Sequence, residues 1–189
     1  MTKEKLRKIF KQKRIDLSRQ QRAEYDAMLF EQLKQLDWNA YHYVHIYLTL
    51  RKFNEPDTSA LIQWLKAFYP QVKLVISRSD FATGEMLNYL WNADTVIKEN
   101  AWGIPEPEDG TLVDESLIDL VLVPLLVTDV AGNRVGYGKG FYDRFLSRCR
   151  KDVRTLGLSY FEPVETISDV DAWDRALQHL ITPFRTYNF

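Results

Sequence analysis

The feature that most constrains the fold is a nearly continuous apolar run over residues 120–127, followed closely by a glycine-rich segment. A strand that is apolar on both sides has to be covered on both faces, which is typical of a parallel sheet between helices. The run is far too short to span a membrane. No apolar segment of the secretory kind follows the N-terminus. We therefore expect a cytoplasmic α/β protein with this run at its centre.

Helical and strand patterns alternate along the rest of the chain. Apolar periodicity predicts helices over residues 3–16, 19–36, 58–68 and 140–150. Short apolar runs predict strands over residues 43–50, 72–77, 85–91, 155–159 and 179–182. Residues 102–107 have the composition of a loop, because their two prolines donate no backbone hydrogen bonds. This order predicts one α/β domain over residues 1–189, with a central, mostly parallel sheet flanked by helices.

Positive charge is concentrated in two segments of an otherwise acidic chain. Residues 1–22 hold nine bases and two acids, and residues 132–154 hold seven bases and two acids, although the net charge is −1. The single cysteine excludes a disulfide framework. One stripe of the first predicted helix carries three of the cations: Lys3, Arg7 and Arg14. Such segments are either solvated helix faces or phosphate-binding surfaces, whereas the acidic remainder would repel nucleic acid.

Residues 132–144 are the most informative segment of the sequence. Three glycines alternate in it: Gly136, Gly138 and Gly140. Glycines between a strand and a helix let backbone amides approach an anion closely, and Arg134 with Lys139 adds positive charge. The spacing matches neither a Walker A loop nor the dinucleotide-binding glycine motif. A tight strand–helix turn is the alternative interpretation.

Three further side chains have both a functional and a structural interpretation. Asp143, in the first turn of the following helix, suits Mg²⁺ beside bound phosphates or simply complements the helix dipole. Glu55 is either a loop carboxylate or an acceptor for a ring that presents paired N–H donors. Trp102 is flanked by loop residues and is the tryptophan best placed to line a pocket.

Residues 132–144 resemble the signature of the 5-formyltetrahydrofolate cyclo-ligases, and the resemblance covers nearly the whole chain. Weaker motifs follow in the order of the family: Lys3 with Leu6-Arg7 and Arg14, Glu55-Pro-Asp-Thr58, the loop at 102–107, and Asp174 with Leu177-Gln178 and Ile181-Thr182. There are departures from the family pattern. Tyr137 stands where arginine is usual, Thr128 replaces an aromatic residue, Pro56 replaces a β-branched residue, and two extra residues precede Glu55.

The resemblance implies a three-layer α/β domain and an enzyme that converts 5-formyltetrahydrofolate and ATP to 5,10-methenyltetrahydrofolate, ADP and phosphate. It assigns ATP to Lys3, Arg7, Arg134, Val135, Gly136, Tyr137, Gly138, Lys139, Gly140, Phe141 and Tyr142. It assigns the folate to Leu48, Glu55, Trp102, Tyr137, Gly138, Lys139, Gly140 and Phe141. The implied magnesium ligands are Asp143 and Asp174, and the implied catalytic residues are Arg134 and Lys139.

The chemistry of that reaction fits a site of cations and amides. A formamide oxygen is a very poor leaving group, and phosphorylation makes it a good one, so the protein has mainly to align ATP and neutralise charge. One alternative is another ATP-dependent small-molecule kinase or ligase. The other is a nucleic-acid binder, which would bind with a steep salt dependence and no hydrolysis. We expect 5-formyltetrahydrofolate and ATP as partners, Mg²⁺ as cofactor, no nucleic acid, no membrane and a monomer.

Overall fold

The computed structural model describes residues 1–189 as a seven-stranded sheet, two small two-stranded sheets and four α-helices. The helices are α1 (Lys3–Asp16), α2 (Arg19–Leu33), α3 (Ser59–Phe68) and α4 (Phe141–Arg148). The strands are β1 (Tyr43–His45), β2 (Lys73–Ser79), β3 (Met86–Leu90), β4 (Ile97–Glu99), β5 (Pro105–Pro107), β6 (Leu120–Pro124), β7 (Val127–Thr128), β8 (Arg134–Val135), β9 (Arg154–Leu158), β10 (His179–Ile181) and β11 (Thr186–Asn188).

The large sheet has the order β11-β10-β9-β6-β1-β2-β3. Its five central strands are parallel, and the edge strands β3 and β11 pair antiparallel to their neighbours. Strand β6 lies between β1 and β9, so that Val121 is opposite His45 on one side and Thr155 on the other. The predicted mostly parallel sheet, with the apolar run at its centre, is confirmed.

Both faces of the sheet are covered, because side chains alternate along each strand. Leu120 and Leu122 pack with α2 and α3 on one face, whereas Val121 and Val123 pack with Phe145 of α4 on the other. Helix α1 lies against the hairpin β7–β8 in a third apolar cluster. The structure thus has the predicted three layers. None of its helices is long and apolar enough to cross a membrane.

Several predicted elements have different limits in the structure. The run at 120–127 ends as a sheet strand at Pro124, and Val127–Thr128 pairs instead with Arg134–Val135. The strand predicted over 43–50 ends at His45, and beyond it the Tyr47 hydroxyl donates to the Pro56 carbonyl at 3.0 Å. The pairing of β1 and of β6 in the large sheet thus ends earlier than predicted.

Two smaller predictions were wrong, and one strand was missed. Residues 102–107 are not a loop throughout, because β5 pairs with β4 through Glu106, the residue between its two prolines. Helix α2 begins with a capping box formed by Ser18 and Gln21 but ends at Leu33, three residues before the predicted end. No prediction was made for the C-terminal strand β11.

Candidate functional site

A cavity of about 570 Å³ lies beyond the carboxyl ends of β1 and β6, the position where open α/β sheets bind ligands. Most of the predicted site residues line it: Lys3, Arg7, Leu48, Glu55, Trp102, Arg134, Gly136, Tyr137, Gly138, Lys139, Gly140, Phe141, Tyr142, Asp143 and Asp174. Val135 is the exception, since it is fully buried in the third apolar cluster. The fold therefore brings together residues from both ends of the chain.

The glycine-rich segment forms one wall of the cavity and is held by α1. The Arg7 Nε atom donates to the Gly136 carbonyl at 3.0 Å. A Cβ atom at Gly138 would lie 3.1 Å from the guanidinium carbon of Arg7, and this residue has a φ of +88°. At Gly136, by contrast, a Cβ atom would meet no other atom within 4 Å, and the backbone φ is not positive. Helix α4 begins directly after Gly140, so the first amides of that helix, which lack helical partners, lie beside the cavity.

One side of the cavity consists of cations that are already paired with carboxylates; we call Lys3, Arg134, Asp143 and Asp174 the ion-paired side. Arg134 Nη2 lies 2.7 Å from Asp143 Oδ1, which also accepts from the Arg175 amide at 3.1 Å. Lys3 Nζ donates to Asp174 Oδ2. In both carboxylates the second oxygen has no hydrogen-bond partner in the protein, and it is therefore available to a cation.

The charges on the ion-paired side stabilise one another. Burial alone would raise the pKa of the Asp174 carboxyl, but hydrogen bonds from Lys3 and the Asp171 amide hold this pKa below its usual value. Burial would likewise lower the pKa of Lys3, and its bonds to Asp174 and Asp171 raise this pKa instead. No group of three or more His, Cys, Asp or Glu side chains that could hold a metal ion is present.

Another part of the cavity lining contains aromatic rings and one buried carboxylate; we call Phe53, Phe81, Trp102, Tyr137 and Glu55 the aromatic side. The Phe81 and Trp102 rings stack with centroids 4.0 Å apart, and those of Phe53 and Tyr137 stack at 5.1 Å. Trp102 is 53% exposed, so its ring remains accessible at the mouth. This side is suited to a flat, partly polar ring system.

Glu55 is held by hydrogen bonds rather than by direct contact with a cation. Its Oε1 accepts from the Tyr137 hydroxyl at 2.6 Å and its Oε2 from the Leu50 amide at 2.7 Å. Behind Tyr137, Arg14 Nη1 donates to the same hydroxyl at 2.9 Å. Burial raises the pKa of Glu55, and the bonds from Tyr137 and Leu50 with the charge of Arg14 oppose that shift.

The structure corrects the interpretation of Arg14 and adds residues that sequence reasoning missed. Arg14 shares a stripe with Lys3 and Arg7 but is fully buried, so it is neither a solvated cation nor a group that reaches the cavity. Phe53 and Phe81 line the cavity without having been predicted. Their only sequence signal is an aromatic residue in a short polar segment between predicted elements.

Comparisons with known proteins agree with one another. A family model described as the 5-formyltetrahydrofolate cyclo-ligase family matches residues 1–183. The 5-formyltetrahydrofolate cyclo-ligase of Mus musculus is 28% identical over 93% of this chain and 91% of its own length. That of Mycolicibacterium smegmatis is 30% identical over 70% of each chain.

Solved structures give the same result. The NMR structure of Aquifex aeolicus 5,10-methenyltetrahydrofolate synthetase has a TM-score of 0.84 and 28% identity, covering 100% of this chain and 93% of that one. A 5,10-methenyltetrahydrofolate synthetase from Mycoplasma pneumoniae has a TM-score of 0.77 over 97% of this chain and 99% of its own; at 22% identity it supports the fold alone.

Proposed function

Because this chain belongs to the 5-formyltetrahydrofolate cyclo-ligase family and is an enzyme of that kind, we propose that it works by phosphorylating the formyl oxygen of its folate substrate with ATP and Mg²⁺. In this reaction the formyl oxygen bonds to the terminal phosphorus of ATP, and ADP leaves. The neighbouring amine then attacks the formyl carbon and loses its proton, and the oxygen departs as phosphate. The product is 5,10-methenyltetrahydrofolate.

The observation that carries this proposal is that one cavity joins the ion-paired side to the aromatic side. The first suits a polyphosphate, and the second suits a ring with N–H donors. Phosphoryl transfer requires chiefly that the two reactants are aligned and that the charge on the transferred group is neutralised. Cations and loop amides that face an aromatic subsite across one cavity meet that requirement.

Four cations would serve the triphosphate. Arg7 and Lys139 make no ion pair, so they are free to bind phosphate oxygens directly. Lys3 and Arg134 are paired with Asp174 and Asp143 and would exchange these partners for phosphate. Arg134 and Lys139, as the catalytic pair, would stabilise negative charge on the transferred group, which is where preorganised donors have their largest effect.

Asp143 and Asp174 fit the magnesium ion that the reaction uses. Mg²⁺ prefers hard oxygen ligands and usually binds through one or two carboxylates together with substrate phosphates. Each carboxylate offers one oxygen with no protein partner, and the two belong to different segments rather than to a prebuilt cage. When bound, the ion would neutralise charge on the phosphates. We expect it to bind weakly without nucleotide.

Glu55 would recognise the folate ring. Each carboxylate oxygen has two lone pairs, so Glu55 can accept paired N–H donors in addition to its bonds from Tyr137 and Leu50. Leu48 and Trp102 line the same part of the cavity. Tyr137, where the family usually has arginine, supplies a neutral hydroxyl, and Arg14 supplies the positive charge one step behind it.

The decisive experiment mixes the full-length protein with 5-formyltetrahydrofolate, ATP and Mg²⁺ and follows the near-ultraviolet absorbance of the methenyl product. We expect product only when all three are present, with one ADP formed per methenyl group. Controls omit each component in turn. Full activity without ATP would contradict the phosphorylation mechanism. ADP formation without methenyl product would point to another ATP-dependent kinase or ligase.

A further inference from the structure

Arg144 has no role in the mechanism above, yet it joins two separate segments of the site. It lies on α4 with its side chain exposed, outside the cavity lining. Its Nε atom donates to the Gly84 carbonyl at 2.8 Å, and its Nη2 atom donates to the Lys139 carbonyl at 2.9 Å. One guanidinium therefore bonds two backbone segments that are far apart in sequence.

These two segments contribute to different parts of the cavity lining. Gly84 ends the turn between β2 and β3, and this turn carries Phe81, whose ring stacks on Trp102. Lys139 lies in the glycine-rich segment that would hold ATP. The Phe81 ring also packs edge-on against Phe141, with centroids 5.1 Å apart. A shift of the glycine-rich segment would therefore be passed to the aromatic side through Arg144.

The backbone on both sides is shaped to admit this guanidinium. A Cβ atom at Gly84 would lie 2.8 Å from Arg144 Nη2, and one at Gly140 would lie 2.9 Å from Nη1. Both glycines have positive φ, +77° and +69°. The guanidinium carbon lies 5.4 Å from the centroid of the Phe141 ring, close enough for a cation–π contact. The arginine thus occupies a slot that side chains at either glycine would close.

We propose that Arg144 is a positioning residue that couples the nucleotide and folate subsites, an inference that rests on the proposed function. A guanidinium is a rigid fork, so two carbonyls bonded to it keep a fixed separation. ATP that orders the glycine-rich segment would fix the Phe81 turn, and the folate would then bind a preformed aromatic side. Coupling of this kind is reciprocal, so the folate must favour ATP by the same factor.

The test is calorimetric titration of 5-formyltetrahydrofolate into the full-length protein with Mg²⁺, with and without a non-hydrolysable ATP analogue. In the unaltered protein we expect the analogue to lower the folate Kd by about 5-fold or more, the lower end of typical coupling factors. In Arg144→Ala this ratio should fall below about 2-fold, whereas the Kd for folate alone should change much less.

Arg148→Ala is the matched control. Arg148 lies one turn further along α4 and pairs with Glu85 beside Gly84 and with Glu115, but it makes no contact with the glycine-rich segment. We expect this variant to keep the coupling ratio. Loss of the ratio in Arg148→Ala as well would overturn the assignment to Arg144, because attachment of the β2–β3 turn alone would then be responsible.

A second variant guards against misfolding. Arg144→Lys keeps the charge, but its single ammonium group lacks the fork that spans both carbonyls, so it should lose coupling as Arg144→Ala does. If Arg144→Ala fails to fold, Arg144→Lys decides. An unchanged ratio in the folded variant, or a ratio of one in the unaltered protein, would refute the coupling. Absence of any folate binding to the unaltered protein would instead contradict the proposed function.

Discussion

The two sides of the cavity hold their carboxylates differently. On the ion-paired side, Asp143 contacts Arg134 directly and its side chain is 30% exposed. On the aromatic side, Glu55 is 4% exposed and has the Tyr137 hydroxyl between itself and Arg14. The first arrangement consists of charges in direct contact near solvent, and the second is a buried hydrogen-bonded chain.

This difference indicates which side rearranges when substrates bind. The carboxylates paired with Arg134 and Lys3 keep 30% and 22% of their side-chain surface exposed, whereas the Arg134 side chain is 6% exposed. A phosphate can therefore reach the pairs and replace a carboxylate, and the buried cation stays paired throughout the exchange. A buried polar network is costly to leave partly satisfied, so Glu55 and Tyr137 should keep their positions. We therefore expect Glu55 and Tyr137 to be preformed, whereas ATP and Mg²⁺ complete the ion-paired side and fix the Phe81 turn through Arg144.

The largest effect should follow from Asp143→Asn. The change keeps the size of the side chain and a hydrogen-bond acceptor for Arg134 but removes the charge that Mg²⁺ would need. Loss of an electrostatic group of this kind lowers turnover by roughly 100- to 1,000-fold. Steady-state kinetics with varied Mg²⁺ would measure it, and the melting temperature should change little.

Asp171→Asn is the control for that experiment, because Asp171 also contacts Lys3 but has a 74% exposed side chain outside the cavity. Its activity should stay near that of the unaltered protein. Asp174→Asn should show the defect of Asp143→Asn in weaker form. Tight Mg²⁺ binding without nucleotide, or a normal Mg²⁺ dependence in Asp143→Asn, would show that the proposed ligands are wrong.

The next largest effect should come from Glu55→Gln and should be confined to binding of the folate. Glu55→Gln replaces one acceptor oxygen by a donor, and a hydrogen bond to a charged group is worth about 1.5–3 kcal/mol, or roughly 10- to 150-fold. The KM for 5-formyltetrahydrofolate should rise by that factor while the KM for ATP stays constant. Equal increases in both KM values would indicate a structural role for Glu55.

The same carboxylate predicts a pH dependence. Burial raises the pKa of Glu55 above the usual 4.5, so protonation begins at a higher pH than for an exposed glutamate. As the pH falls through this raised pKa, the carboxyl loses acceptor capacity and the KM for the folate should increase. Measured from neutral pH downwards, this increase should be absent in Glu55→Gln.

The clustering of Arg134, Lys139 and Asp143 could be predicted from the sequence, for a physical reason. Arg134, Lys139 and Asp143 lie within ten residues, where a strand, a loop and a helix start follow one another. Their proximity is therefore local, and the pattern of residue types carries it. The mostly parallel sheet was predicted for a similar reason, because an apolar run of that composition must be covered on both faces.

The aromatic side depends on contacts between distant segments, which no local pattern records. Arg14 shares a helix stripe with Lys3 and Arg7, but its contacts with Tyr137 and Leu125, 123 and 111 residues away, bury it. Phe81 belongs to a turn whose place over the cavity is fixed by Trp102 and Arg144. The end of β1 at His45 was missed because the apolar run of the sequence continues to Leu50.

The effect of burial on stability can be tested at His45, whose ring packs on Tyr142 and Phe145. Neither ring nitrogen has a hydrogen-bond partner, and burial lowers the pKa of His45 from 6.5 to about 3. Between these values the unfolded chain binds a proton that the folded protein does not. Stability should therefore fall as the pH drops below 6.5.

From pH 7 to pH 5 this histidine should reduce the free energy of unfolding by about 2 kcal/mol. Urea unfolding at both pH values would measure the reduction. His45→Phe keeps a ring against Phe145 and removes the titration, so the difference between the two pH values should shrink by that amount. An undiminished difference in the variant would assign the acid sensitivity to other groups.

The smallest effect, and the one that discriminates most finely between the two sides, should come from Tyr137→Phe. The ring can keep its stack on Phe53, but the hydroxyl that links Arg14 to Glu55 is lost. The hydroxyl acts on the folate only through the position of Glu55, so the KM for the folate should rise less than in Glu55→Gln, by about 10-fold or less. The KM for ATP should not change if Tyr137 serves the aromatic side.

The kinetics of Tyr137→Phe and of the double variant Tyr137→Phe with Glu55→Gln decide whether the Tyr137 hydroxyl acts through Glu55. If the hydroxyl acts by holding Glu55, its removal should matter much less once Glu55 is Gln, and the two effects should not add. Phe53→Leu removes the stacking partner but keeps the hydroxyl, so it controls for lost packing. An increase in the KM for ATP in Tyr137→Phe would show that this tyrosine contacts phosphate. Tyr137 would then serve both sides of the cavity, because its hydroxyl also donates to Glu55.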